Sequence, residues 1–252
     1  MTPAAPPSAE SLAQFRALLE RSFPRLHAGI RRETVAGGTL LYTWPGTDPT
    51  APALLLTAHQ DVVPVEDAAW EQPPFSGAVA GGFLWGRGAL DDKGALMAIM
   101  EAVERLLARG VRPKQTIYLA FGHDEERGGT GAQAMAVLLE QRGARIGLAL
   151  DEGFAVLDGV IAGVTKPVAL TGVGEKGDPS EAPAATRGGG HSSMPANDNP
   201  ADRIARAVGK ITRAPFPART GGVAGAMLDG IAPYSNPPLK IALANRWLTE
   251  VY

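Results

Sequence analysis

Residues 115–126 read QTIYLAFGHDEE, an apolar run that ends in a glycine and then releases four titratable side chains, His123, Asp124, Glu125 and Glu126. The run at 115–121 is short and rich in β-branched and aromatic residues, so it reads as a buried strand. Charge runs are usually solvated surface, but they seldom begin directly from such a strand. Outward from it, residues 131–142 read as a helix and 146–150 (IGLAL) as another strand. Upstream, 53–58 (ALLLTA) is an apolar run ending at His59, as a buried parallel strand would be. Between them, Asp92 to Arg109 carries Leu96, Ile99, Val103, Leu106 and Leu107 at helical spacing. Asp91 or Asp92 is placed to cap that helix, and Gly110 to stop it. Residues 11–30 read as an amphipathic helix broken near Pro24. Strands alternating with helices predict an α/β fold, a mostly parallel sheet flanked by helices. From about Gly174 proline and glycine become frequent and only one helix, 200–212, is expected. That change marks the beginning of a second, smaller domain.

At 252 residues the chain is long enough for one substantial domain or one and a half. A net charge of −2 offers no basic field for nucleic acid or an anionic membrane. The chain has no cysteine, which excludes disulfides and thiolate ligands, so any metal must be held by imidazole and carboxylate. No stretch approaches the roughly 20 apolar residues of a membrane span. The opening MTPAAPPSAE has neither the cationic start nor the apolar centre of a signal peptide, so a cytoplasmic location is the default expectation.

Four clusters carry chemistry. His59-Gln60-Asp61 ends a strand, and alternation puts His59 and Asp61 on one face, where the Asp can orient a metal-binding imidazole. Singly, this is no more than a strand-end His with an Asp nearby. Residues 86–94 (GRGALDDKG) place two carboxylates at a strand-to-helix junction, one more than capping needs. His123 to Glu126 follows the strand at 115–121; adjacent glutamates there can divide the work, one holding metal and one taking a proton from water. Asp151-Glu152-Gly153 follows the strand at 146–150. Ligands in open α/β folds bind outside the carboxyl ends of the strands, which is where all these residues should lie. Imidazole with hard oxygen donors suits zinc, manganese or cobalt.

HQDVVPV (59–65), W-x4-F-x-G (70–77), GRGALDDKG, HDEERGGTGA (123–132), LDEG (150–153) and GGHSSMP (189–195) resemble, in order and spacing, the zinc metallopeptidase family of aminoacylase-1, carboxypeptidase S, acetylornithine deacetylase and succinyl-diaminopimelate desuccinylase. The look is nearest to the carboxypeptidase S branch, with its relatives that hydrolyse or form N-acyl amino acids. The resemblance implies two zinc ions, with cobalt or manganese as substitutes, and a small-molecule substrate: a peptide or N-acyl amino acid cleaved at an amide next to a free carboxylate. It implies a homodimer, while net charge and hydropathy lead to the expectation of no nucleic-acid or membrane partner. By position, His59 would bind one metal with Asp61 orienting it, Asp91 would bridge both, and Asp151 would complete the first site. Glu126 would hold the second metal, Glu125 would be general base, and His191 would reach the substrate, usually across the dimer. Residues 1–173 would be the catalytic metal-binding domain and 174–252 part of a dimerisation or lid domain.

Three departures shape the expectation further. The family pattern asks for a late histidine on the second metal, but the histidines here are His27, His59, His123 and His191, and none follows His191. The chain is read as stopping inside the smaller domain, which predicts little or no turnover from this polypeptide alone. At 178–187, DPSEAPAATR puts two prolines where an apolar strand is expected, read as a reading-frame excursion or a tolerated lesion. The leading expectation is therefore a metal-dependent amide hydrolase; the alternatives are a truncated, inactive member of the family and a non-catalytic binding module.

Overall fold

The computed structural model describes residues 8–65, 70–153, 156–173, 185, 199–214 and 221–249. The chain divides into two units, one ending at Glu152 and the other beginning at Gly153.

In the first unit, α1 (Ala9–Ser22) starts where the Ser8 side chain accepts the Ser11 N–H at 3.0 Å, and buries Leu12 and Leu19. Pro24 opens α2 (Pro24–Gly29), so the expected break falls where proline suits a first helical turn. The α2 start is capped from a distance, since Glu104 accepts the N–H groups of Arg25 and Leu26 at 3.1 and 2.8 Å. A hairpin that the residue pattern does not announce comes next, β1 (Arg31–Val35) and β2 (Thr39–Trp44). Its turn has positive φ at both Ala36 and Gly37 and a Gly38 N–H to Val35 carbonyl bond, the twist that tight hairpins prefer. β2 is hard to read because it is buried on both faces, so TLLYTW shows no period-two alternation.

β3 (Ala53–His59), β6 (Ile117–Gly122) and β7 (Ile146–Leu150) are the three strands expected from sequence. The sheet order is β1-β2-β6-β3-β7, with β6, β3 and β7 mutually parallel and the β1-β2 hairpin added antiparallel to β6. Short β4 (Val79–Ala80) and β5 (Phe83–Leu84) form a separate hairpin. One face of the sheet packs Leu40, Tyr42, Trp44, Ala58, Leu119 and Phe121 against α1, α2 and α3 (Lys93–Ala108). The opposite face packs Leu41 and Ala120 against Met135 and Leu139 of α4 (Thr130–Gln141). Helices therefore flank the sheet on both sides, as alternation predicts. Gly110 does stop α3, at φ +69°, with Val111 N–H returning to the Leu106 carbonyl.

What positions the site is register. His59 pairs with Gly122 and Leu56 with Leu150, so the carboxyl ends of all three parallel strands lie side by side.

The second unit holds a two-residue ladder, β8 (Val156–Leu157) with β9 (Val168–Ala169), and the helices α5 (Pro200–Arg213), α6 (Gly222–Ile231), α7 (Pro237–Ala244) and α8 (Arg246–Thr249). Asn199 caps α5 by accepting the Asp202 N–H at 2.9 Å, which fixes the one helix expected here. The later helices escape a reading by pattern because glycines and prolines punctuate 221–238. Among the described residues, no helix is long and apolar enough to cross a membrane.

Candidate metal centre

His59 closes β3 and is 2% exposed. Its Nδ1 lies 3.1 Å from the Asp61 main-chain carbonyl and 3.4 Å from that residue's carboxylate. With Nδ1–H donating there, Nε2 lies 2.9 Å from Asp91 Oδ1 and 3.5 Å from Glu152 Oε1; protonated it donates to Asp91, and neutral it would offer its lone pair to a metal. Asp61 also reaches the next strand end, where its two carboxylate oxygens accept the N–H groups of Glu125 and Glu126, each at 3.1 Å. One buried carboxylate thus orients the imidazole and ties the end of β3 to the loop after β6.

The loop at 86–94 brings Asp91 in. Gly88 sits at φ +80°, and a Cβ there would meet Val62 Cγ1 at 2.4 Å, so only glycine lets the loop pass. Asp92 does occupy the N-cap position of α3 but makes no side-chain capping bond. Its buried carboxylate accepts the His59 N–H at 3.2 Å instead, which fixes the start of α3 to the end of β3. The capping expected of Asp91 or Asp92 is thus replaced by a tether between helix and strand.

The run at 123–126 splits in two. His123 Nδ1 lies 2.8 Å from the Thr39 hydroxyl. Asp124 accepts the Thr130 hydroxyl and the N–H groups of Thr130 and Gly131, so it builds the start of α4. Glu125 and Glu126, in the 3-10 turn Glu125–Arg127, face His59. Among the described residues, two sets bring one donor atom each within 4.8 Å: His59, Asp91 and Glu152, and His59, Glu125 and Glu126.

The two carboxylates after β7 are placed differently. Asp151 accepts from the Thr57 hydroxyl rather than joining either set, and its neighbour Glu152 stands beside His59. The sequence offers both carboxylates and the family resemblance gives the role to Asp151; strand parity does not separate them, because β7 ends at Leu150. His191 lies outside the described residues, as does most of 178–187.

Electrostatics favour a cation. Burial opposes charge on His59, but the carboxylates of Asp61, Glu152 and Asp91 outweigh it and hold the imidazole pKa up at about 10. Burial raises Glu152 to about 7, with Asp92, Asp91 and Glu125 adding to it. Glu125 and Glu126 are raised for the same reason, burial first and neighbouring carboxylates next. Asp61 goes the other way: burial works against its ionisation, but hydrogen bonds from His59 and backbone N–H groups hold it below the usual range. A proton on His59 partly offsets the crowd of carboxylates. Glu126 Oε1 is buried without any hydrogen-bond partner, an arrangement that costs free energy unless a cation completes it. Buried orphan oxygen, imidazole and clustered carboxylates together fit a divalent metal of the zinc, manganese or cobalt kind. Beside the cluster runs a cavity of about 200 Å³, walled by Leu55, Ala58, Ala120, Met135 and Leu139 and reaching Glu125 and Glu152.

Fold and site together define an α/β protein with a candidate divalent-metal centre at its strand ends. The chain belongs to peptidase family M20/M25/M40, whose model matches residues 55–234. It is 38% identical over 243 residues to the human N-fatty-acyl-amino acid synthase/hydrolase PM20D1, covering 95% of this chain and 48% of that protein. It is 37% identical over 243 residues to the probable carboxypeptidase S-like 2 of Dictyostelium discoideum, covering 94% and 46%. Carboxypeptidase S of Saccharomyces cerevisiae is 41% identical over 186 residues, covering 70% and 31%. The chain spans about half the length, or less, of these relatives.

Proposed function

We propose that this chain carries the metal-binding and proton-transfer half of a hydrolase acting on an amide bond next to a free carboxylate, in a peptide or an N-acyl amino acid. The observation that carries the reading is the orphaned, buried oxygen of Glu126, a residue whose carboxylate lies within 4.8 Å of donor atoms of His59 and Glu125. By the family resemblance His59, Asp91 and Asp151 would hold one zinc ion, and Asp91 and Glu126 a second, with Glu152 also standing beside His59. A bound divalent ion supplies Lewis acidity, acidifying water and polarising the amide carbonyl. The chain's own residues do the rest. Asp61 fixes the His59 tautomer so that Nε2 stays free for metal. Glu125, raised by burial and by neighbouring carboxylates, takes the proton of the attacking water and returns it to the leaving amine. The names of the relatives, an N-fatty-acyl-amino acid hydrolase and carboxypeptidases, support this substrate class. A zinc-dependent homodimer, with His191 reaching the substrate, and a cytoplasmic location complete the proposal.

A second reading, a metal-binding chain without turnover, has its own support. Of the four histidines, His27 is engaged with Tyr42 and the Phe23 carbonyl, and His123 with Thr39. Among the described residues the set with Glu126 therefore has no imidazole but His59. A non-catalytic binding module is less favoured, because a raised Glu125 beside ligand carboxylates has no use in simple binding. Elemental analysis of purified protein, paired with hydrolysis of N-acyl amino acids and dipeptides, separates them. The proposal expects metal and turnover; bound metal without turnover selects the second reading, and no metal at all overturns both.

A further inference from the structure

We propose that the buried carboxylate of Asp92 strengthens the metal centre by its charge, without touching the metal; this rests on the metal-site reading above. Asp92 is 2% exposed and follows Asp91, whose carboxylate lies 2.9 Å from His59 Nε2. It occupies the N-cap position of α3 yet makes no side-chain capping bond there. Its Oδ2 accepts the main-chain N–H of His59 at 3.2 Å instead. Among the described residues this is its one side-chain hydrogen bond, and no lysine or arginine forms a salt bridge with it.

A tether alone does not call for this residue. Asparagine or serine at the start of a helix accepts a backbone N–H without carrying charge. A buried carboxylate, by contrast, is costly unless opposite charge or several donors offset it. Two features of the fold favour the anion. The 16-residue α3 begins at Asp92 and turns the positive end of its dipole toward it. A divalent ion bound by His59 and Asp91 would supply the opposite charge, in a buried setting where Coulomb attraction is far stronger than in water. The assignment divides two adjacent carboxylates: Asp91 meets the metal, and Asp92 attracts it from behind the imidazole residue that it tethers.

Cobalt(II) titration of the full chain, followed by calorimetry and by the visible absorption of the bound ion, tests this. Asp92→Asn keeps the shape and an oxygen for the His59 N–H, and loses only the charge. It should weaken cobalt binding about 10-fold or more, the size of effect that groups just outside the ligands have. The absorption spectrum should stay that of the wild type, because the ligands are unchanged. Asp91→Asn, which alters a ligand, should change affinity and spectrum together. Wild-type affinity in the Asp92→Asn protein overturns the proposal and leaves Asp92 a tether only. Weaker binding with a changed spectrum also overturns it, since Asp92 would then coordinate the ion or hold the ligands in place. If Asp92→Asn fails to fold by circular dichroism, Asp92→Ser, a smaller uncharged cap, takes the same readouts with the same outcomes. A wild-type chain that takes up no cobalt overturns the metal reading itself, and this inference with it.

Discussion

Two flanks of one sheet differ sharply. β2 places Leu40, Leu41 and Tyr42 in complete burial, between three helices on one face and α4 on the other, whereas β7 leaves all five of its residues exposed. The candidate site lies on the seam between them. Ligands and supports from the covered side, His59, Asp61 and Asp92, are buried and hydrogen-bonded, while Asp91 and Glu152 reach in from positions open to solvent. A packed strand places its side chains by exclusion of alternatives; at the unpacked one, hydrogen bonds such as that from Thr57 to Asp151 are what the structure offers. Rigidity at this site therefore comes from packing on one side and from hydrogen bonds on the other.

The two flanks should part most clearly in stability. Phe121→Ala removes a fully buried ring from the covered flank and should cost about 3–5 kcal/mol, read as a lower urea midpoint. An effect near zero would mean that this flank is not the stabilising one. A smaller effect concerns β1, where Glu33 meets Arg142 at 2.6 and 3.0 Å and joins the strand to the end of α4. Hydrogen bonding from Arg142 holds the Glu33 carboxyl below its usual range. A depressed carboxyl stabilises above its unfolded pKa of about 4.3 and loses that contribution as pH falls through the folded value. The wild-type advantage over Glu33→Gln should therefore be present at neutral pH and shrink as acid protonates the carboxyl; an advantage that does not fall with pH below the unfolded pKa of about 4.3 would contradict it. The smallest change is expected at β7. Leu148→Ser should shift stability by no more than about 0.5 kcal/mol. It should also lower self-association in sedimentation, because an exposed apolar edge strand invites pairing with another chain. A large loss of stability there would show that the β7 flank is packed after all.

Much of this is readable in the residues. The strands at 53–58, 115–121 and 146–150 declare themselves by apolar runs ending in charge, and α3 by its spacing and its stop at Gly110. The β1-β2 hairpin does not, because a strand covered on both faces loses its alternation and its turn uses an alanine at positive φ. His59, Glu125 and Glu126 are legible as strand-end donors. The work of Asp61, Asp92 and Thr57 is only partly so, since hydrogen bonds that cross between elements leave no local pattern.

Local sequence is enough to establish that this chain builds an α/β fold, that its only metal donors are imidazole and carboxylate, and that they gather after three strands. Periodicity, the absence of cysteine and the position of charge after apolar runs settle those points one segment at a time. Folding in three dimensions is what divides the labour among neighbours. Asp124 caps while Glu125 and Glu126 face His59, Asp92 tethers while Asp91 reaches the imidazole, and Glu152 approaches His59 while Asp151 holds Thr57. Adjacent carboxylates are chemically alike, so only the partners that the folded loops bring to each can tell them apart.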